Sequence, residues 1–221
     1  MGPLACESAD PEASAITFDL SEGALEIEIS EEQVNVVAFD IYFEFKTSFE
    51  GQSGVLFHAL SPTDELLIEL INGSMINVRL NDLELTASRD RLDQNSWHSL
   101  NVEWNLQNFA LFLDKNSTSD ELPTNHYRPL TFNKASIGAK NDFTDGYIGC
   151  LKDLWINGFE VDLHKEIGDG LLGVKPGCIG ACDAEPCANQ GKCIEMYRDF
   201  TCDCSDTAYQ GPFCREDVSV R

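Results

Sequence analysis

The chain has no uninterrupted apolar run of the eighteen or so residues that a membrane-crossing helix needs, so no helical span is written into it. Positive charge is scarce: 15 lysines and arginines stand against 38 aspartates and glutamates, a formal charge of −23. Such a surface repels nucleic acid, heparin-like polyanions and anionic lipid, which leaves those partners out, and it keeps a secreted chain in solution. The opening residues, Met1 to Cys6, lack the apolar stretch of a signal peptide, so the chain is expected to be a piece of a larger secreted or membrane-anchored protein. No long segment keeps a 3.6-residue hydrophobic period, so helix is expected only as a turn or two near Leu163 to Ile167. Paired Cys-x2-Cys or His-x3-His spacing is missing as well, which removes the usual zinc sites.

Catalysis is also not expected. The histidines, His58, His98, His126 and His164, are scattered, and His98 falls on an inward strand position beside Trp97, where it reads as a satisfied core residue. The run Gly51-Gln52-Ser53-Gly54 stops one position short of a nucleophile elbow and sits in a strand turn rather than at a strand-to-helix corner. With so many carboxylates, a pair at catalytic spacing arises by accident and carries no signal.

What the chain does have, from about residue 15 to 178, is hydrophobicity that returns at every second position. Leu25, Ile27 and Ile29 alternate with Glu26 and Glu28; Ile41, Phe43 and Phe45 with Tyr42, Glu44 and Lys46; Ile76, Val78 and Leu80 with Asn77 and Arg79. His98, Leu100, Val102 and Trp104 continue the pattern against Ser99, Asn101 and Glu103. These are half-buried strands, punctuated by turn signals at Glu50-Gly51, Asn72-Gly73, Asp145-Gly146 and Asn157-Gly158. Many regular antiparallel strands in one core-sized segment imply an all-β jelly-roll sandwich.

Beyond it the composition changes. Cys182, Cys187, Cys193, Cys202, Cys204 and Cys214 crowd a segment too short to bury a core, so disulfides have to supply its stability, which places the chain in an oxidising, extracellular compartment. Six cysteines admit many pairings, and spacing alone does not choose among them. Two acceptor sequons, Asn72-Gly73-Ser74 and Asn116-Ser117-Thr118, suit N-glycosylation in the same compartment.

Particular motifs resemble known families. Cys187-Ala-Asn-Gln-Gly-Lys-Cys193, Phe200-Thr-Cys202-Asp-Cys204 and Tyr209-Gln-Gly211-Pro-Phe-Cys214 are similar to an EGF-like module, whose pairing implies bonds Cys182 to Cys193, Cys187 to Cys202 and Cys204 to Cys214. Phe43-Glu-Phe45, Gly54-Val-Leu-Phe57, Trp97-His98-Ser-Leu100, Tyr147-Ile-Gly149-Cys150-Leu151 and Leu154-Trp-Ile156-Asn157-Gly158 resemble, in order, a laminin G (LNS) domain, which implies a further bond between Cys150 and Cys178. The tandem, with its opening Gly2-Pro-Leu-Ala-Cys6, resembles the third laminin G domain and following EGF-like region of the contactin-associated protein and neurexin IV family. That resemblance implies a tail at 1–14 from a preceding fibrinogen-like region, a laminin G domain at 15–178, an EGF-like module at 179–216 and a linker at 217–221. Cys6 is then left unpaired, its partner lying upstream.

The family also implies sites and partners. Neurexin-type laminin G domains hold calcium on the sandwich rim with an Asp, an Asn and backbone carbonyls, a pattern that falls here on Asp64, Asn133, Thr131 and either Asn81 or Asp82. One charged ligand among them implies weak binding, on the order of 10⁻⁴–10⁻³ M. The EGF-like module departs from its calcium-binding subclass, with no acidic residue in Cys178 to Ala181 and Glu195 at the hydroxylation position, and reads as a rigid spacer. The implied role is a protein-binding segment of a single-pass cell-adhesion receptor at neuron–glia or septate junctions, with contactin-like adhesion molecules among the cell-surface partners. The alternative is an architectural spacer between binding domains.

Overall fold

Alternation becomes two stacked sheets. The computed structural model describes residues 14–29, 38–47, 49–122, 130–168, 171–182, 185–196 and 199–218. Cys6, His126 and the greater part of the expected 1–14 tail lie outside the described residues.

One sheet comprises β1 (Ile16–Phe18), β3 (Ala38–Lys46), β8 (His98–Asn105), β9 (Asn108–Leu113), β10 (Asn116–Glu121), β12 (Gly149–Ile156), β13 (Phe159–Glu160) and β14 (Val174–Pro176). Its order is β10-β9-β8-β3-β12-β1-β14, with β13 folded onto β12. The second sheet contains β2 (Leu25–Glu28), β4 (Gly54–Leu60), β5 (Glu65–Ile71), β6 (Met75–Leu80), β7 (Leu83–Ser88) and β11 (Lys134–Ile137), in the order β2-β11-β4-β5-β6-β7. Hairpins run along each sheet, and the chain crosses from one to the other around β3, β8, β11 and β12, as a jelly roll requires. The short helix α1 (Leu163–Glu166) is capped by Asp162, whose side chain accepts from Lys165 N.

The inward positions of both sheets make one core. Ile41, Phe43, Phe45, Leu100 and Leu111 from the first sheet are wholly buried with Leu56, Phe57, Ile68, Leu70 and Val78 from the second. Each such side chain contributes about 1.5–3 kcal/mol of burial, which is why the strand period decides the architecture. Tyr147 lies completely buried beside them, its hydroxyl donating to Lys46 O at 2.6 Å, and burial pushes that phenol well above its ordinary pKa.

A bulge in β12 sets what faces outward. The register with β3 slips between Lys152 and Trp155, and Asp153 takes φ +53°. One extra residue reverses the alternation, so Leu154 and Ile156 stay in the core while Trp155 turns to solvent on the same face as Lys152. Near the start of the same strand, Thr17 Oγ1, opposite Cys150, donates to Gly177 O at 2.6 Å and accepts from Ile179 N at 2.9 Å. The Cys150–Cys178 disulfide closes the same corner.

Past that corner, β15 (Lys192–Met196) pairs with β16 (Asp199–Asp203) and β17 (Tyr209–Gln210) with β18 (Glu216–Asp217). Disulfides join Cys182 to Cys193, Cys187 to Cys202 and Cys204 to Cys214. Asp217 pairs with Tyr209, and Val218 N donates to Ala208 O at 3.3 Å.

At one rim a single carboxylate ties two loops together and packs against a third. Asp93 Oδ2 accepts from Gly51 N at 2.8 Å and Oδ1 from Arg91 Nε at 2.8 Å. Gly73, at φ +61°, passes so close that a Cβ there would lie 2.3 Å from Asp93 Oδ2. Burial alone would raise the Asp93 carboxyl, but Arg91 and the Gly51 N–H outweigh it and hold it below the ordinary aspartate value. A carboxyl held low in the folded chain stabilises fully above its unfolded value, near ~3.9, and that stability is lost as pH falls through the folded value. Asp93→Asn should therefore cost about 1–3 kcal/mol at neutral pH, with the gap from the unsubstituted chain narrowing below about pH 4 in urea unfolding.

Candidate functional site

The turns at the opposite rim gather the residues expected to hold calcium. Between β4 and β5, Ser61 shapes the turn: its hydroxyl accepts from Asp64 N at 3.0 Å and Thr63 N at 3.3 Å, while Ser61 N donates to Asp64 O. That turn swings Asp64 inward, where it is only 3% exposed. Its Oδ2 accepts from the Thr63 hydroxyl at 2.9 Å and its Oδ1 from Asn81 Nδ2 at 3.1 Å.

Asn81, in the turn between β6 and β7, adopts φ +56°, a conformation asparagine tolerates better than most residues. Its side-chain oxygen accepts from Glu65 N at 2.9 Å and its own N–H donates to Glu65 O at 2.9 Å. The side chain is thus committed to both neighbours, and its backbone carbonyl is the atom it could lend to a cation. Thr131 and Asn133 are exposed in the stretch entering β11. Since Ala135 pairs with Ala59 and Ser136 with His58, the same register carried two residues further sets Asn133 opposite Ser61. Asn133 O accepts from Ile29 N at 3.0 Å. Asp64 and Asn81 touch, and Thr131 and Asn133 reach the same rim from another strand.

Oxygen donors of this kind suit a hard cation, and Asp64 brings the charge. Among the described residues no group of three or more His, Cys, Asp or Glu side chains converges on a metal position. The donor set fits calcium in chemistry and supplies little charge to hold it.

The described histidines serve the frame. His98 is buried on β8, with Asp114 Oδ2 3.0 Å from its Nδ1 and Ser96 Oγ 3.1 Å from its Nε2; burial, then Arg89, lowers its pKa. His58 lies between Glu65, 3.0 Å from Nε2, and the Asn141 N–H, 3.2 Å from Nδ1. His164 Nε2 donates to Ala15 O at 2.7 Å. Gly51 to Ser53 belong to the loop tied by Asp93 and Gly54 opens β4, so the run forms no nucleophile turn. Asn72 and Asn116 are both exposed, the first in the β5–β6 turn and the second opening the edge strand β10.

Sequence reasoning left unremarked the outer face of the larger sheet. There the register aligns Trp155, Tyr42, Asn101 and Phe112 in one row across β12, β3, β8 and β9. In the adjacent row Asp40 stands opposite Glu103. Tyr42 donates to Glu44 at 2.9 Å, and its phenol is pushed up to about 12 by burial and then by Glu44. Burial, then Glu103, raises the Asp40 carboxyl. Asn101 Nδ2 donates to Glu103 at 2.8 Å, whereas its Oδ1 is out of contact with solvent and has no partner. Being out of phase with the core, these residues are visible in the sequence, but their alignment across four strands is not.

Known proteins can now be set beside this geometry. Residues 45–159 match the laminin G domain family and residues 182–213 the EGF-like domain family. The chain belongs to the laminin G domain family. It is 33% identical over its whole length to Neurexin-4 of Drosophila melanogaster, of which it spans 17%, and its laminin G domain with an appended EGF-like module is of the neurexin superfamily. The fold is that of the LG1-3 region of the laminin alpha2 chain, with TM-score 0.62 and 17% identity over 76% of this chain and 35% of that one. Mouse laminin alpha1 domains LG4-5 give TM-score 0.60 and 17% identity over 80% of this chain and 52% of theirs. Laminin G domains are binding modules without catalytic machinery.

The rim turn supplies a direct test. Removing the buried Asp64 carboxylate breaks its bonds to the Asn81 amide and the Thr63 hydroxyl together, so Asp64→Ala should lower stability by about 1–3 kcal/mol in urea unfolding. Asn81→Ala should lose comparable stability, because it removes two bonds and leaves a Cβ residue at positive φ.

Proposed function

We propose that this segment is a protein-binding part of the ectodomain of an extracellular cell-adhesion receptor. The observation that carries the reading is the similarity to Neurexin-4, along the whole of this chain and 17% of that protein, of a laminin G domain running into an EGF-like module. Four disulfides in the folded chain agree with an oxidising, extracellular setting. In this reading the segment stands where the third laminin G domain of such a receptor stands, at neuron–glia or septate junctions, and contactin-like adhesion molecules are the partner class. The boundary between the modules falls near Gly180, just past the bond from Ile179 to Thr17.

Calcium belongs to the same proposal. Asp64 with the carbonyls near Asn81 and Thr131 and the side chain of Asn133 would hold the ion, which would order the rim turns rather than take part in any reaction. Two millimolar calcium should raise the melting temperature by a few degrees at most, as linkage gives for a site near ~10⁻³ M. Equal shifts from magnesium, unchanged in Asp64→Asn and Asn133→Ala, would remove calcium from the proposal.

Binding itself is checked by capture. The biotinylated segment should retain cell-surface protein from junction-forming cells, and association should slow as salt rises to physiological strength, where exposed charges are screened beyond about 8 Å. Retention no greater than that of an unrelated acidic domain would leave the segment as a spacer.

A further inference from the structure

The outer face of the larger sheet carries groups that the sandwich itself does not use. Asp40 and Glu103 are register partners on neighbouring strands. Like charges set directly opposite weaken a sheet, and neither carboxylate has a cationic partner among the described residues. Lys152, on the same face, is committed to Glu44 at 3.3 Å and to the ring of Trp97 at 4.6 Å. One row away, Asn101 has Tyr42 and Phe112 as register partners, so the Cβ atoms of two aromatic residues lie about 5 Å from its own, one on either side. That amide has given a hydrogen to Glu103 and keeps a buried oxygen without any donor. Beside the row is an open depression of about 280 Å³ lined by Glu103 and Phe112 together with Asn105, Asn108, Ser117 and Ser119.

The charged groups left over here, Asp40 and Glu103, are both anionic. The Tyr42 hydroxyl, the nearest donor, is spent on Glu44. An anion is repelled by two facing carboxylates, and a neutral hydroxyl compound leaves them uncompensated. A planar cation with several N–H groups meets both requirements, since it neutralises the carboxylates and lies against aromatic faces. We propose that Asp40, Tyr42, Asn101, Glu103 and Phe112 form a docking face for an arginine side chain presented by a protein partner. This rests on the protein-binding reading above and adds the chemistry of the partner. Lysine fits less well, because its ammonium is a compact point charge that neither stacks nor donates in a fork.

The test uses the intact chain and a fluorescein-labelled decapeptide of alternating arginine and glycine, followed by anisotropy. Glu103→Gln should weaken binding at least tenfold and Phe112→Leu severalfold, with melting temperatures unchanged. Glu26→Gln, which removes the same charge from the exposed side of the other sheet, should stay within twofold. The lysine peptide should bind more weakly, and the citrulline peptide should not bind. The proposal is overturned if no arginine peptide binds, if Glu26→Gln weakens it as much as Glu103→Gln, or if citrulline serves as well as arginine. It is equally overturned if millimolar calcium displaces the peptide from the unsubstituted chain, which would make the face a metal site. Capture of cell-surface protein that survives Glu103→Gln overturns the docking face and leaves the adhesion reading standing. Peptide binding with the expected rank but no capture does the reverse.

Discussion

Two sheets that each offer only one apolar side must press those sides together, and that requirement organises every other part of the domain. Ile41, Phe43 and Phe45 meet Phe57, Ile68 and Val78 because the pleat sends alternate side chains in opposite directions. The same pleat dictates the exterior: whatever lies between those residues is delivered to the outer face in rows. Tyr42 and Asn101 are neighbours across strands for the reason that Ile41 and Val102 are. An outward residue can thus change its chemistry without disturbing the core, which makes a sandwich of this kind a carrier for binding surfaces.

The bulge at Asp153 shows how such a carrier is adjusted. One residue in the left-handed conformation shifts the phase of β12, keeps Leu154 and Ile156 inside and brings Trp155 out beside Tyr42. The loops obey a different constraint. At one rim Asp93 collects Gly51 and Arg91; at the other Asp64 collects Thr63 and Asn81. Each uses a buried carboxylate to satisfy N–H or O–H groups that the strand ladders leave over. A chain of charge −23 therefore spends part of its acid on structure.

The small module is stabilised differently. Its paired strands are two to five residues long and bury little, so three disulfides take the place of a core. Cys193 and Cys202 face one another in the β15–β16 ladder yet bond elsewhere, to Cys182 and Cys187. Those crossed bonds tie the preceding segment to both strands, and the Cys204–Cys214 bond closes the second hairpin beside them.

Periodicity alone was enough to make the chain an all-β sandwich, because a period of two has one structural meaning over many short segments, and Asn72-Gly73 and Asn157-Gly158 mark their turns by the positive φ that both residues adopt. The helix at Leu163 to Glu166 was legible from the break in that pattern. Cysteine number and spacing determined the compartment but not the bonds, since spacing says nothing of which strands cross. Asp64 could be singled out only by likeness to a family; that its carboxylate would be buried against Asn81, 17 residues away, depended on the β5–β6 register. The row Trp155, Tyr42, Asn101, Phe112 was beyond the sequence altogether, because its members come from four strands whose order is not their order along the chain. Local chemistry sets which residues form strands and which way they point, whereas the neighbours of an outward side chain follow from strand order and register, and those emerge only when the two sheets close on a common core.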